Sequence, residues 1–116
     1  MHYQKHPNEE VKIIRCTKGK IFDVIVDLRI KSNSYKKWFG IELTSKNHKM
    51  LYVPKGLAHG FLTLEDNSEI FYQMSDYFVP ESARGIHWND PSIGIKWPFI
   101  PSVISERDNS YPPIIQ

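Results

Sequence analysis

Residues 11–29 read VKIIRCTKGKIFDVIVDLR, and their pattern decides the fold class. Two runs rich in Ile, Val and Phe flank Cys16-Thr17-Lys18-Gly19, a turn signal. The reading is a hairpin with arms Val11–Cys16 and Lys20–Arg29. In the second arm Ile21, Asp23, Ile25 and Asp27 alternate with Phe22, Val24, Val26 and Leu28. Period-two alternation marks a strand, and neither face is wholly polar, so this strand should lie between two layers.

The same signals continue outward. Ile30–Lys37 is a polar loop, Trp38–Thr44 a strand, Ser45–His48 a turn and Lys49–Val53 another strand. Pro54-Lys55-Gly56 closes it, Pro fixing φ and Gly permitting positive φ. His59–Leu64 and Glu69–Phe78 read as a second hairpin around Glu65-Asp66-Asn67-Ser68. Helical periodicity is absent before the tail, Ser102–Asp108. Short strands at roughly 8–12-residue spacing imply an all-β sandwich or barrel. Prolines 80, 91, 98, 101, 112 and 113 make the C-terminal third an irregular wrap over the sheets. With no repeat or linker, residues 1–116 are expected to form a single domain.

Composition narrows the function classes. The chain is 41% hydrophobic and 24% charged, with a net charge of +2. Acids and bases are interspersed, and the one dense basic cluster, Lys31–Lys37, reads as a solvated loop. Nucleic acid is therefore not expected as a partner, whereas a small anionic ligand fits the mild positive balance. A single cysteine, Cys16, excludes an intrachain disulfide. No apolar run approaches the ~20 residues of a membrane helix, and no membrane partner is expected. The polar N-terminus is unlike a signal peptide, which makes the cytoplasm the expected location. Histidines 2, 6, 48, 59 and 87 form no His-x-His pair and no zinc spacing, so neither a metal nor another cofactor is expected.

Three segments carry candidate chemistry. VPKGLAHGF, Val53–Phe61, leads a Pro-Gly turn into a strand bearing His59. EIFYQMSDYF, Glu69–Phe78, is dense in aromatics, which means core packing or a rim against a ligand. GIHWNDP, Gly85–Pro91, with IKWP at 95–98, has the chemistry of an Asx-type corner. Alone, His59 reads as a structural histidine, Tyr72 as a strand tyrosine, Lys12 as a surface charge and Asp108 as a local cap.

Together, and with HYQ at 2–4, Lys12, GKIFDVIVDLR and ISERD at 104–108, these segments resemble the nucleotide-sugar 3,5-epimerases, the dTDP-4-dehydrorhamnose epimerase family. The resemblance covers nearly the whole chain. It implies a cupin-type double-sheet jelly roll, a homodimer, and epimerisation at C3 and/or C5 of a dTDP-4-keto-6-deoxyhexose in deoxysugar biosynthesis. It assigns His2 as catalytic base, Asp108 as its partner and Tyr72 as proton donor. Lys12 and His59 would bind substrate at the ketone, and Arg107 stands where the family usually has a substrate-contacting Lys. Tyr77-Phe78 stands where the family often has Tyr-Tyr, whose second member stacks on the nucleotide base. The chemistry suits the residues: a proton next to a ketone can leave if a base takes it and the enolate oxygen is stabilised.

Two departures modify the expectation. The family's Arg-Gly-Leu ahead of the base is missing before Met1-His2, where full-length relatives carry further strands. Ala83 replaces a common Glu. Both weaken the expected grip on the nucleotide before they touch the proton-transfer set. Two other readings share these residues: a nucleotide-sugar-binding cupin without turnover, or a subunit that completes another chain's barrel.

Overall fold

The computed structural model describes residues 1–114. Among them eight strands and one short α-helix follow in order, with a 3-10 turn at Pro80–Ser82. They are β1 (His2–Gln4), β2 (Lys12–Lys18), β3 (Lys20–Asp27), β4 (Trp38–Thr44), β5 (Met50–Val53), β6 (Leu57–Thr63), β7 (Glu69–Met74), β8 (Ala83–Gly85) and α1 (Glu106–Ser110). A five-stranded antiparallel sheet has the order β4-β3-β6-β1-β8, and a three-stranded one the order β5-β2-β7.

The all-β expectation holds, and β4 spans the residues read from the sequence. Two expected hairpins do not form. β2 pairs with β5 and β7 while β3 pairs with β4 and β6, so Cys16–Gly19 carries the chain from one sheet to the other. Residues 64–68 likewise lead from β6 in the larger sheet to β7 in the smaller, and β7 ends at Met74, short of Phe78. The reason is local. Gly19 sits at φ +79°, where a Cβ would lie 2.5 Å from the Ser68 hydroxyl. That hydroxyl accepts from the Lys20 N–H at 3.2 Å. The two corners brace each other, and bracing corners between sheets use the same turn residues as hairpins within one.

The alternation of β3 serves two cores, as expected for a strand between layers. One face sends Ile21 into the inter-sheet core, with Ile14 and Cys16 of β2, Leu43 of β4, and Leu51 and Val53 of β5. The other sends Val24 and Val26 into a second core with Met1, Ala58, Ile86 and Ile95, against which Phe22, Trp38 and Trp97 pack. The Pro-rich segment thus covers the outside of the larger sheet, as read from composition. Asp90 fastens it: its carboxylate accepts from the Ser92 N–H at 2.8 Å and the Ile114 N–H at 2.7 Å.

After β3 the loop turns on a buried carboxylate. Asp27 accepts from Arg29 Nε and Nη2, both at 2.9 Å, and from the hydroxyls of Ser32 and Ser34. The Arg29 hydrogen bonds, with those from the serines, hold its pKa far below the ordinary carboxylate value. A depressed carboxylate pKa adds stability above the unfolded value of about 3.9, and that stability drains away as pH falls toward the folded pKa. Asp27→Asn should therefore destabilise the fold by about 2 kcal/mol at pH 7. The gap between the two proteins, read from urea unfolding, should narrow at pH 3. An equal gap at both pH values would show that the Asp27 charge contributes nothing.

Candidate active site

Strand register builds the site. Residues opposed across antiparallel strands send their side chains to the same face. His2 of β1 opposes His59 of β6, and His59 opposes Ile25 of β3, so the two histidines share the inner face of the larger sheet. In the smaller sheet Lys12 opposes Met74 and Ile14 opposes Tyr72, which turns Lys12 and Tyr72 inward beside core residue Ile14. Where β6 and β1 face β7, the sheets part into a cleft of about 650 Å³.

Seven of the eight residues singled out from the sequence line this cleft: His2, Lys12, His59, Tyr72, Phe78, Arg107 and Asp108. Tyr77 does not; the residue is 88% exposed, and its carbonyl accepts from Gln4 Nε2 at 3.2 Å. Ala83 also lines the cleft and leaves no carboxylate there.

His2 Nε2 faces Asp108 Oδ1 at 2.5 Å. The carboxylate comes from α1, whose first turn is capped by Ser105, the Asp108 N–H donating to its hydroxyl at 3.1 Å. Trp88 Nε1 fixes the same helix by donating to Asn109 Oδ1 at 3.1 Å. Burial, and next the α-ammonium of Met1, push the imidazole pKa of His2 below its ordinary value; the hydrogen bond it donates to Asp108 opposes them. His2 is therefore neutral, and able to accept a proton, at pH 7. Burial raises the Asp108 pKa, but His2, the α-ammonium and Ser105 together bring it below the ordinary value.

Sequence reading missed several residues. His59 Nε2 faces Asp23 Oδ1 at 2.5 Å, making a second imidazole–carboxylate pair. Asp23 has no solvent exposure, and its Oδ2 has no hydrogen-bond partner among the described residues. Its signal was available: the face of β3 that carries Ile21 and Ile25 also carries Asp23, and a carboxylate turned inward needs a partner. Glu10 backs Lys12, with Oε1 3.5 Å from Nζ and both side chains nearly buried. Gln4 anchors the segment leading to Phe78: its Oε1 accepts from the Val79 N–H at 2.7 Å. Among the described residues no three His, Cys, Asp or Glu side chains cluster to hold a metal.

The resemblance implied one histidine–carboxylate pair, His2–Asp108, beside Lys12, His59 and Tyr72; the structure adds a second through Asp23. Comparison with known proteins agrees with that resemblance. The model of the family described as dTDP-4-dehydrorhamnose 3,5-epimerase matches residues 1–116. The chain belongs to that family. It is 43% identical over 117 residues to the dTDP-4-dehydrorhamnose 3,5-epimerase of Sinorhizobium fredii, covering 100% of this chain and 60% of that one. The crystal structure of the epimerase from Bacillus anthracis, with TDP and PPi bound, is 40% identical at a TM-score of 0.94, covering 97% of this chain and 65% of that one. A Legionella pneumophila epimerase in complex with dTDP-4-keto-L-rhamnose is 35% identical at a TM-score of 0.90, covering 95% and 58%. The fold is thus the epimerase family's cupin-type jelly roll. The chain spans little more than half the length of the curated relatives it matches.

The pairing of His2 with Asp108 has a direct spectroscopic consequence. In an NMR titration the His2 ring should show a midpoint below 6.5. Asp108→Asn should lower it further, since the carboxylate is what favours the imidazolium. A midpoint that rises in Asp108→Asn would refute the pairing.

Proposed function

We propose that this chain epimerises C3 and/or C5 of a dTDP-4-keto-6-deoxyhexose, as part of deoxysugar biosynthesis. The observation that carries the reading is the His2–Asp108 pair opening on the same cleft as Tyr72, Lys12 and the His59–Asp23 pair.

In the mechanism we infer, His2 donates its Nε2–H to Asp108, which leaves the Nδ1 lone pair to take the proton from the carbon beside the ketone. The C–H electron pair moves into the enolate, and Asp108 stabilises the imidazolium that forms. Lys12 and His59, backed by Glu10 and Asp23, supply the hydrogen bonds to the charged oxygen. Tyr72 returns a proton to the opposite face of the same carbon, inverting it, and solvent resets both groups. Arg107 and Phe78 serve the nucleotide end, one as a cation for phosphate and the other as a stacking face. Tyr77 belongs with Phe78 in the family pattern, and we place it at the outer edge of the nucleotide region. No metal or cofactor takes part.

We further propose a single-domain, cytoplasmic homodimer. β5 and β7 border the small sheet with no strand pairing beyond them among the described residues, and an unpaired edge favours association. Sedimentation should give a dimer mass. A monomer at micromolar concentration would overturn that assignment. Among the described residues no helix is long and apolar enough to cross a membrane.

The test of the reaction is solvent exchange. In D2O with dTDP-4-keto-6-deoxyglucose, NMR should show deuterium entering at C3 or C5. His2→Ala and Tyr72→Phe should each slow epimerisation roughly 10²–10⁴-fold, the usual worth of one acid or base. Deuterium at neither carbon, with protein in molar excess over sugar, would end the epimerase reading.

A further inference from the structure

Tyr111 follows α1 and makes three contacts that no step of the proposed reaction uses. Its ring stands edge-on to the His2 ring, centroids 6.1 Å apart and planes at 67°. It lies directly on Gly85, where an added Cβ would come within 2.2 Å of its Cζ. Its hydroxyl accepts from Arg107 Nε at 3.0 Å. Gly85 is the strand partner of His2, so only hydrogen at position 85 lets the ring settle over the His2–Gly85 pair. Arg107 makes no other side-chain hydrogen bond among the described residues and lines the cleft.

We propose that Tyr111 is a positioning residue, whose ring walls the outer side of His2 and whose hydroxyl aims the Arg107 guanidinium at an anionic group of the ligand. The proposal rests on the reading of the cleft as a nucleotide-sugar site. The ring excludes water from one side of the imidazole and limits its rotation away from Asp108. The hydroxyl takes the Nε–H, which leaves the two terminal nitrogens to bind phosphate as a fork. One side chain thereby couples the proposed base on β1 to the anion-binding cation on α1.

The two roles separate by substitution. His2 faces Asp108 and Arg107 on α1, His59 on β6, the Met1 amine just before β1 and the Tyr111 ring; Arg107, which both variants release, is the smallest of the influences on the His2 pKa, and only Tyr111→Ala removes the ring. Tyr111→Ala should raise the His2 titration midpoint, because water reaches the ring, and should weaken dTDP binding about fivefold, measured by calorimetry. Tyr111→Phe should keep the wild-type His2 midpoint yet show the same loss of dTDP affinity. A Phe variant like wild type in both would overturn the hydroxyl's role. A Phe variant like Ala in both would overturn the ring's role, and Ala unchanged in both would overturn the whole. If Tyr111→Ala does not fold, Tyr111→Phe decides alone: it must retain the midpoint and lose affinity. Neither measurement needs turnover, so a wild type that catalyses no exchange ends the epimerase reading without deciding this one. A wild type that binds no dTDP overturns the nucleotide reading and the Arg107 half, leaving the His2 half to the titration.

Discussion

The cleft hangs on three residues of strand. β1 is only His2–Gln4, yet it lies between β6 and β8 and fixes His2 against His59 on one side and Gly85 on the other. Because side chains alternate with a period of two, a slip of one residue would turn His2 to the outer core, away from His59 and Asp108. Several contacts prevent that slip. Met1 is buried in the outer core, its carbonyl accepts from the Ile86 N–H at 2.9 Å, and Gln4 is tied to the backbone of Asn8 and Val79. A strand too short to persist alone is held by its neighbours and by its own ends.

The second constraint is electrostatic. Carboxylates and cations inside a protein are costly unless paired. Here both histidines and the buried lysine of the cleft have their own acid: His2 has Asp108, His59 has Asp23 and Lys12 has Glu10. Removing one acid would strand its partner in a low-dielectric cleft. The pairs also differ in exposure. His59–Asp23 is sealed in the layer between the sheets, whereas His2–Asp108 is about one-third open to solvent. A group that must exchange protons with water each cycle belongs in the open position, and a group that only polarises an oxygen belongs in the sealed one. That difference supports His2 over His59 as the proposed base.

Much of this was legible in the sequence, for identifiable reasons. The alternation in β3 and the aromatic–aliphatic run of β4 are period-two patterns long enough to be unambiguous. The Pro-rich wrap followed from the inability of proline to join a ladder. The hairpins were misread because a turn inside a sheet and a corner between sheets draw on the same residues; only the mutual bracing of Gly19 and Ser68 distinguishes them, and it joins positions about 50 residues apart. β1 and β8 were invisible as strands because three residues carry no periodicity. Asp23 was legible in principle, while the Glu10–Lys12 pair and the contacts of Tyr111 depend on side-chain directions that no spacing rule supplies.

The distribution of these contacts separates chemistry from grip. The groups assigned to proton transfer and to the ketone oxygen are each fixed by residues within the chain: by strand register, by paired acids and by the caps of α1. The groups assigned to the nucleotide are less confined, since Phe78 is 66% exposed and Arg107 relies on the Tyr111 hydroxyl. Ala83 removes a side chain that could have closed that rim. A cleft built this way holds its reacting end rigid and its binding end loose. Looseness at that end should therefore show in KM rather than kcat, because contacts to the nucleotide act equally on bound substrate and transition state.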